Sequence, residues 1–243
     1  MKLAFISDIH ANLEALESVL ADIDSKEIDD IYCLGDVVGY GANPNECVEI
    51  VSKRCKSVLL GNHDAVATGL LTTQHFNVHA RIAIEWTAGE LTSENKKFLA
   101  AQPLAKTVDD FTMVHATPYQ PGMWYYITSL EEAYFNFQSF DTRICLVGHT
   151  HIPMIIALDE EEIYVHQDKS ISFDERENLR LLINIGSVGQ PRDRHPESSY
   201  GILDTGEKKF SLYRVPYDIA KTQSKMKKIK MPDFLVNRLA EGR

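Results

Sequence analysis

The first 151 residues alternate short apolar runs with segments of helical periodicity. The runs at residues 3–6 and 31–34 are each followed by a stretch in which apolar side chains recur every three or four residues. This alternation is typical of β-α-β units, in which a strand connects through a helix to a parallel neighbour. The sequence therefore predicts an α/β fold with parallel strands in its first half.

The second half of the chain has a different pattern. Apolar stretches around Ile155 and Ile163, and at 181–185, 200–203 and 210–213, follow one another without long helices between them. Such spacing predicts antiparallel strands. Because neither an internal repeat nor a flexible linker interrupts the 243 residues, we expect a single domain, 1–243. Helical patterns predict a helical segment over 64–102 and a basic C-terminal helix over 217–243.

Polar side chains of a few kinds follow the predicted strands of the first half. Each of five strands ends within two residues of an Asp, Asn or His, and five of the nine histidines lie there. The carboxyl ends of strands in an α/β sheet converge on a ligand crevice, so we expect these side chains to meet. The segments are Ser7-Asp8-Ile9-His10, Gly35-Asp36, Gly61-Asn62-His63-Asp64, the single His115, and Gly148-His149-Thr150-His151.

These side chains form a ligand set of carboxylates, one carboxamide and several imidazoles, without a thiolate. Such a set suits Mn, Fe, Co, Ni or Zn and is too rich in imidazole for Ca or Mg alone. It also contains more ligands than one tetrahedral ion needs. The sequence therefore predicts a two-metal site.

Charge and cysteine usage restrict the partners and the compartment. The chain has 35 acidic and 25 basic residues and a formal net charge of -10, which disfavours binding to long nucleic acids. No apolar run is long enough to span a membrane. The four cysteines form no C-x-x-C pair, which is typical of reduced core cysteines in a cytoplasmic protein.

Basic residues are concentrated in the C-terminal tail. Residues 221–243 contain seven basic and two acidic side chains. The plain interpretation is a terminal helix whose lysines lie in solvent. A basic amphipathic helix that binds a membrane or a partner is the alternative, which Pro232 and the shortness of the tail weaken.

The five polar blocks, in this order and spacing, resemble the signature of the calcineurin-like metallophosphoesterases. A later segment, 186–192, resembles one found in the bacterial and archaeal phosphodiesterase branch of that superfamily. The resemblance implies a two-sheet, mixed α/β sandwich flanked by helices, with two divalent metal ions that activate water for in-line attack on phosphorus. Mn or Fe is the expected metal, and Zn, Co and Ni are the alternatives.

The resemblance also implies a role for each residue. His63 would protonate the leaving oxygen, and Asp64 would either orient that imidazole or cap the following helix. Arg192 would contact the phosphate, or else be a surface arginine beside Asp193. The implied metal ligands are Asp8, His10 and His151 for one ion, Asn62, His115 and His149 for the other, and Asp36 as the bridge between them.

One departure from the superfamily pattern bears on the substrate. Asp36 is followed by Val37-Val38-Gly39-Tyr40-Gly41, whereas the Ser/Thr protein phosphatases carry a further Asp and an Arg in this block. The difference favours hydrolysis of small phosphodiesters, nucleotides among them. A phosphomonoesterase and a dinucleoside polyphosphate hydrolase would share the same ligands and remain alternatives. A non-catalytic scaffold is disfavoured because His63 and every ligand are present.

Two further segments are expected near the mouth of the site. The helical segment 64–102 would lie beside it and limit the size of the substrate. The aromatic run Trp124-Tyr125-Tyr126 would either stack on a base above the site or pack a loop onto the core. The oligomeric state is not predicted.

Overall fold

A computed structural model describes residues 1–173 and 178–243. Two short 3-10 turns, Thr73–His75 and Pro121–Met123, lie in the connecting segments. In chain order, the strands and helices of the described part are β1 (Lys2–Ile6), α1 (Leu13–Asp24), β2 (Asp30–Cys33), α2 (Pro44–Arg54), β3 (Ser57–Val58), α3 (Asn62–Ala67), α4 (Val78–Glu90), α5 (Ser93–Ala100), β4 (Ala105–Val108), β5 (Phe111–Val114), α6 (Leu130–Phe137), β6 (Ile144–Val147), β7 (Met154–Asp159), β8 (Glu162–His166), β9 (Ser170–Ser172), β10 (Arg180–Asn184), β11 (Ser198–Asp204), β12 (Lys209–Val215), α7 (Ile219–Lys228) and α8 (Asp233–Glu241).

The strands form two six-stranded mixed sheets. The first has the order β3-β2-β1-β11-β12-β9 and the second the order β4-β5-β6-β10-β7-β8. Strands β1, β2 and β3 are parallel, as the alternating pattern predicts. The second half is not wholly antiparallel as expected, because β10 pairs in parallel with β6. Strand β10 lies between β6 and β7, and no single long helix marks the crossover from β6 to β10 in the sequence.

The two sheets pack face to face and helices cover their outer faces. Along β1, Leu3 and Phe5 join the core between the sheets, while Ala4 and Ile6 join the core beneath α1 and α2. This alternation follows from the two-residue repeat of a strand that is buried on both sides. Helix α6 covers the second sheet. The architecture is the two-sheet, mixed α/β sandwich flanked by helices that the resemblance implies.

Polar side chains cap the N-termini of two helices. The Asn12 side chain accepts a hydrogen bond from the Ala15 amide at 3.2 Å and begins α1. Thr92 does the same for Asn95 at 3.2 Å and begins α5. Each cap satisfies an amide that has no partner within the helix. Segment 64–102 is helical as expected, but it is divided among the end of α3, a 3-10 turn, α4 and α5.

The C-terminal segment 217–243 contains two helices where the sequence predicts one. Helix α7 ends before Lys230, which adopts a positive φ of 59°, and Pro232 follows as the N-cap of α8. A proline cannot continue a helix, so the chain turns there. Helix α7 packs on α1, where the buried Glu14 carboxylate lies 2.6 Å from Lys225 Nζ and 3.2 Å from Lys221 Nζ. No helix in the described part of the chain is long and apolar enough to cross a membrane.

Candidate metal centre

The predicted strand-end residues meet at one end of the sandwich. Several of them adopt left-handed backbone conformations, which residues other than glycine rarely adopt. The φ angles are 53° at Asp8, 51° at His10, 51° at Asp36, 65° at His149 and 62° at His151. Such conformations cost free energy and persist where the surrounding structure imposes them, as it does at functional sites.

Asp8, His10 and His151 form the first cluster. The Nε2 atoms of the two histidines lie 3.0 Å apart, and Asp8 Oδ1 lies 3.1 Å from His151 Nε2 and 3.7 Å from His10 Nε2. All three side chains are buried. These are the three residues that the resemblance assigns to one metal ion.

Asp36, His115 and His149 form the second cluster, and Asn62 lines the same cleft as His149. His115 Nε2 lies 3.3 Å from Asp36 Oδ2, and ligand atoms of Asp36, His115 and His149 all lie within 4.8 Å of one another. Asp36 Oδ2 is also 3.8 Å from His10 Nε2 in the first cluster. Asp36 therefore lies between the two groups, at the place of the predicted bridge.

Each of the four imidazoles uses one ring nitrogen to donate a hydrogen bond to a backbone carbonyl. In the neutral ring, the other nitrogen then carries a lone pair. His10 Nε2 and His151 Nε2 are thus both acceptors although they are 3.0 Å apart, an arrangement that needs a cation or a proton. The bonds are His10 Nδ1 to Val38 O (3.1 Å), His115 Nδ1 to Leu34 O (3.0 Å), His151 Nδ1 to Gln190 O (2.6 Å) and His149 Nε2 to Trp124 O (3.1 Å).

Three further atoms of the predicted ligands are buried without a hydrogen-bond partner among the described residues. They are Asp8 Oδ1, Asn62 Oδ1 and His115 Nε2. Buried polar atoms are ordinarily paired because an unpaired one costs free energy. All three are of the kinds that bind transition metals. The residues present therefore fit bound metal ions.

The pKa values of the carboxylates keep them ionised. Burial alone would raise the pKa of Asp8, but His151 and His10 beside it hold that pKa well below its usual range. Burial likewise opposes the ionisation of Asp36, and the neighbouring His115 outweighs it. Both groups are therefore carboxylates at neutral pH, the form that binds a metal ion.

The histidines divide into two groups by the direction in which their pKa is shifted. Burial, with the nearby His115, lowers the pKa of His149 to about 4, and burial, with the nearby Arg192, lowers the pKa of His151 to about 3. His115 behaves differently, because the adjacent Asp36 outweighs burial and raises its pKa to about 9. A metal ion at this position would take the place of that proton.

His63 lies beside the same clusters. Its ring is 4.8 Å from the His10 ring, centroid to centroid, and His63, His10 and Asp36 form a third group that could hold an ion. Its Nδ1 atom is buried without a partner among the described residues, and burial holds its pKa well below the usual range. The structure thus places the predicted acid beside the candidate metal centre, among the residues with which the sequence predicts it to converge.

The Asp64 carboxylate adopts the geometry of the capping alternative. It accepts hydrogen bonds from the amides of Gly61 at 3.2 Å, Val38 at 3.1 Å and Val37 at 3.3 Å. Burial, with the charge of Asp36 nearby, raises its pKa to about 7. Asp64 therefore ties the loop that follows Asp36 to the start of α3.

Gly61 shows why a residue without a side chain precedes Asn62. A Cβ atom added there would overlap Asp36 Oδ1 and the Asp36 amide nitrogen. The Asp36 carboxylate occupies this space and accepts a hydrogen bond from the His63 amide at 2.8 Å. Any larger residue at this position would displace the predicted bridging ligand.

Arg192 turns toward the clusters and away from Asp193, which pairs with Arg214. The Arg192 amide donates to His151 O at 3.2 Å. Its Nη2 atom lies 2.8 Å from Gln190 Oε1 and 3.5 Å from the Tyr40 hydroxyl. Of the two interpretations of Arg192, the phosphate contact fits this placement.

A cleft of about 400 Å³ opens beside the clusters. Its floor contains Asn62, His63 and His149. One wall comes from the helical segment, with Leu71, Phe76 and Ala80, and the other from the aromatic loop, with Met123, Trp124 and Tyr126. The Tyr126 ring also stacks on His149, with centroids 4.2 Å apart. Both segments expected near the mouth therefore line it, and Tyr126 does so while packing on a predicted ligand.

Tyr40 is the site residue that the sequence does not reveal. It is 7% exposed, and its ring centroid is 4.7 Å from that of His10 and 4.6 Å from that of His63. Between two glycines it has the pattern of a turn residue. Its contact with Arg192, 152 residues later in the chain, distinguishes it from an ordinary turn residue.

Comparisons with known proteins agree with this geometry. Residues 1–208 match the family model of the calcineurin-like phosphoesterase superfamily domain. An uncharacterized protein of Methanocaldococcus jannaschii is 42% identical over 253 residues, which covers 99% of this chain and 98% of that protein. The crystal structure of a metallophosphoesterase from Sphaerobacter thermophilus superposes with a TM-score of 0.88 at 41% identity, covering 100% of this chain and 99% of that one.

A more distant structure shows the same fold. A hypothetical protein from Pyrococcus horikoshii superposes with a TM-score of 0.80 at 18% identity, covering 100% of this chain and 98% of that one. The family match spans all five polar blocks and the loop that carries Arg192. This chain therefore belongs to the calcineurin-like phosphoesterase superfamily, whose members are metal-dependent hydrolases of phosphoesters.

Proposed function

We propose that this protein hydrolyses small phosphodiesters, nucleotides among them, at a two-metal centre. The observation that carries the proposal is the convergence of buried, unpartnered ligand atoms beside a cleft of substrate size. The proposed ligands are Asp8, His10, Asp36, Asn62, His115, His149 and His151.

The ligand set favours transition metals. It combines imidazole, carboxylate and carboxamide groups without a thiolate, so Mn or Fe is proposed, with Zn, Co and Ni as alternatives. When bound, two such ions would neutralise charge on the phosphoryl oxygens and lower the pKa of a water molecule. The protein fixes their positions through the carbonyl-bound imidazoles.

Three side chains are proposed to act on the substrate or to position those that do. His63 lies at the junction of the clusters and the cleft, where a ring N–H would donate to the leaving oxygen. Arg192 would bind a charged phosphoryl oxygen, because a guanidinium matches phosphate geometry. Asp64 holds the loop between Asp36 and α3 in place and so positions His63.

The cleft limits the substrate to a small one. About 400 Å³ accommodates one nucleoside or aryl group rather than a polymer. The walls contributed by Phe76, Trp124 and Tyr126 suit a flat aromatic group. The formal net charge of -10 supports the exclusion of long nucleic acids.

The cysteines support a cytoplasmic location. All four are free, and three of them, Cys33, Cys47 and Cys145, are buried in the cores. Burial raises the pKa of the Cys145 thiol above its usual range, so it remains protonated and unreactive. Such cysteines are compatible with a reducing compartment.

The test is a substrate panel with defined metal content. The purified protein is stripped of metal, reloaded separately with Mn, Fe, Zn, Co or Ni, and assayed with bis(p-nitrophenyl) phosphate and p-nitrophenyl phosphate. We expect two metal equivalents per chain and a higher kcat/KM for the diester. A preference for the monoester would replace the proposal by phosphomonoesterase activity, and full activity without bound metal would overturn it.

A further inference from the structure

The Tyr40 hydroxyl is a hydrogen-bond donor held at the edge of the metal centre. Its oxygen accepts a bond from Arg192 Nη2 at 3.5 Å, and its own hydrogen has no acceptor among residues 1–173 and 178–243. The side chain lies against His10 and His63 and lines the cleft. A fixed donor at such a place is suited to bind the substrate.

The surrounding residues give Tyr40 one position. Its backbone is left-handed, with a φ of 54°, and a Cβ atom added to the preceding Gly39 would lie 2.5 Å from His63 Nδ1. On its other side, Met226 and Leu239 of the C-terminal helices pack in the same apolar cluster. The phenol is therefore immobilised before any substrate binds, which reduces the entropy cost of binding.

Arg192 reaches Tyr40 from the other sheet. Tyr40 follows β2 of the first sheet, and Arg192 follows β10 of the second. The Arg192 Nε and Nη2 atoms donate to Gln190 Oε1 at 3.2 Å and 2.8 Å, and the guanidinium carbon lies 5.8 Å from the Tyr40 ring centroid. A guanidinium has five N–H donors, and its Nη1 group has no acceptor among the described residues.

We propose that Tyr40 and Arg192 act as one phosphate clamp and that the neutral phenol in this clamp makes the site prefer diesters. This inference rests on the proposed phosphoesterase function. A diester has two terminal oxygens that share one negative charge. An uncharged ester oxygen takes the place of the third terminal oxygen of a monoester. One cation and one neutral donor match that distribution. A monoester has three terminal oxygens that share up to two charges and is better matched by two cations.

The clamp is tested first with Tyr40→Phe, which keeps the ring and its packing and removes the hydroxyl. We expect kcat/KM for bis(p-nitrophenyl) phosphate to fall about tenfold, the effect of one hydrogen bond to a charged group. The affinity for inorganic phosphate, measured by calorimetry on the metal-loaded protein, should fall by a similar factor. Metal content and Tm should not change. Unchanged kinetics and unchanged phosphate affinity would overturn the clamp.

A double-mutant cycle tests whether the two residues act together. Arg192→Lys keeps the charge but loses the planar fork, and Arg194→Lys is the matched control at an exposed arginine. If Tyr40 and Arg192 form one unit, the combined loss in Tyr40→Phe/Arg192→Lys is smaller than the product of the two single losses. If the two single losses multiply in the double variant, Tyr40 and Arg192 act independently, and the proposal that they form one clamp is overturned.

The preference for diesters over monoesters is tested with Tyr40→Lys, which introduces a second cation beside Arg192. We expect the ratio of monoester to diester kcat/KM to rise at least about tenfold, a difference of roughly 1.4 kcal/mol. An unchanged ratio in a folded, metal-loaded variant would overturn the proposed selectivity. If the wild-type protein hydrolyses neither ester, the proposed function fails, and the calorimetric comparison with Tyr40→Phe still decides whether the clamp binds phosphate.

Discussion

The backbone amide of His63 donates a hydrogen bond to Asp36 Oδ1 at 2.8 Å. The residue proposed to protonate the leaving oxygen is thus tied to the proposed bridging carboxylate through its main chain. Because this bond does not involve the imidazole, replacing the His63 side chain leaves the Asp36 carboxylate anchored. Metal binding and proton transfer can therefore be separated by mutation.

His63→Ala is expected to lower kcat by about 10²- to 10⁴-fold, the usual contribution of a positioned acid or base. Metal content, measured by atomic absorption, should remain at the wild-type value because the amide bond persists. His195→Ala, at an exposed histidine, is the control and should have wild-type kcat. Loss of metal in His63→Ala would instead identify His63 as a ligand.

Asp36→Asn should reduce metal occupancy below two equivalents. The carboxamide keeps an oxygen that can accept the His63 amide, but it lacks the charge with which a bridging carboxylate binds two cations. Metal titration followed by calorimetry measures the change. Wild-type stoichiometry and affinity in this variant would contradict the bridging role.

Gly61→Ala should weaken the centre although it replaces none of the proposed ligands. The added methyl group overlaps Asp36 Oδ1, so we expect a loss of about 1–3 kcal/mol in the free energy of unfolding and reduced metal content. Gly89→Ala, in α4 where an added Cβ has no neighbour within 4 Å, is the control. It should stabilise the protein by about 0.5–1 kcal/mol in urea unfolding. Equal effects of the two substitutions would refute the close approach at Gly61.

Tyr126→Ala should raise KM for aryl phosphodiesters about three- to tenfold, the range of a lost aromatic contact. The Tyr126 ring stacks on His149 and lines the cleft. Tyr125→Ala is the matched control, since Tyr125 is similarly exposed, 46% against 52%, and does not line the cleft. Initial-rate kinetics with bis(p-nitrophenyl) phosphate distinguish the two variants, and an equal rise in KM for both would exclude a specific role for Tyr126.

Glu14→Gln tests how the C-terminal helices are held. Burial alone would raise the pKa of Glu14, but hydrogen bonds from Lys225 and Lys221 outweigh burial and lower it from 4.5. A lowered pKa stabilises the fold above the unfolded-state value, and this stabilisation is lost as the pH falls through the folded-state pKa. The variant should therefore be less stable than wild type by roughly 1–2 kcal/mol at pH 7.

The difference in stability between wild type and Glu14→Gln should shrink as the pH falls below about 4.5. Urea unfolding at several pH values measures it, with Glu17→Gln, at an exposed position of the same helix, as the control. A constant difference across this range would show that the charge of Glu14 does not hold α7.

The sequence predicts much of the candidate site because its residues follow strands. Apolar runs locate the strand ends, and convergence within a sheet brings Asp8 and Asp36 together in the first sheet and His115 and His149 together in the second. The meeting of these two pairs depends on how the two sheets are stacked. Tyr40 escapes this reasoning since its partner Arg192 belongs to a different sheet. The contact between them depends on how the two sheets are stacked, which residue patterns do not encode.

The differences between the predicted and the observed fold also arise from contacts between segments that are distant in the chain. Strand β10 joins β6 in parallel after a long excursion through β7, β8 and β9, and local spacing alone indicates antiparallel neighbours. The short strands β4 and β9 lie at the sheet edges, where few apolar residues are needed. In the tail, Pro232 divides the basic segment into α7 and α8, and their buried faces are specified by contacts with Tyr40 and Glu14.

The placement of the last 35 residues affects how fragments of this protein should be made. The family match ends at residue 208, immediately before β12, which pairs with β11 and β9, and the two helices that cover Tyr40 follow it. An expression fragment cut at that boundary would expose the open edge of β11 and the apolar surface beneath α7 and α8. Such a fragment is expected to aggregate or to be degraded by proteases, so the end of the family match is not a usable cloning boundary.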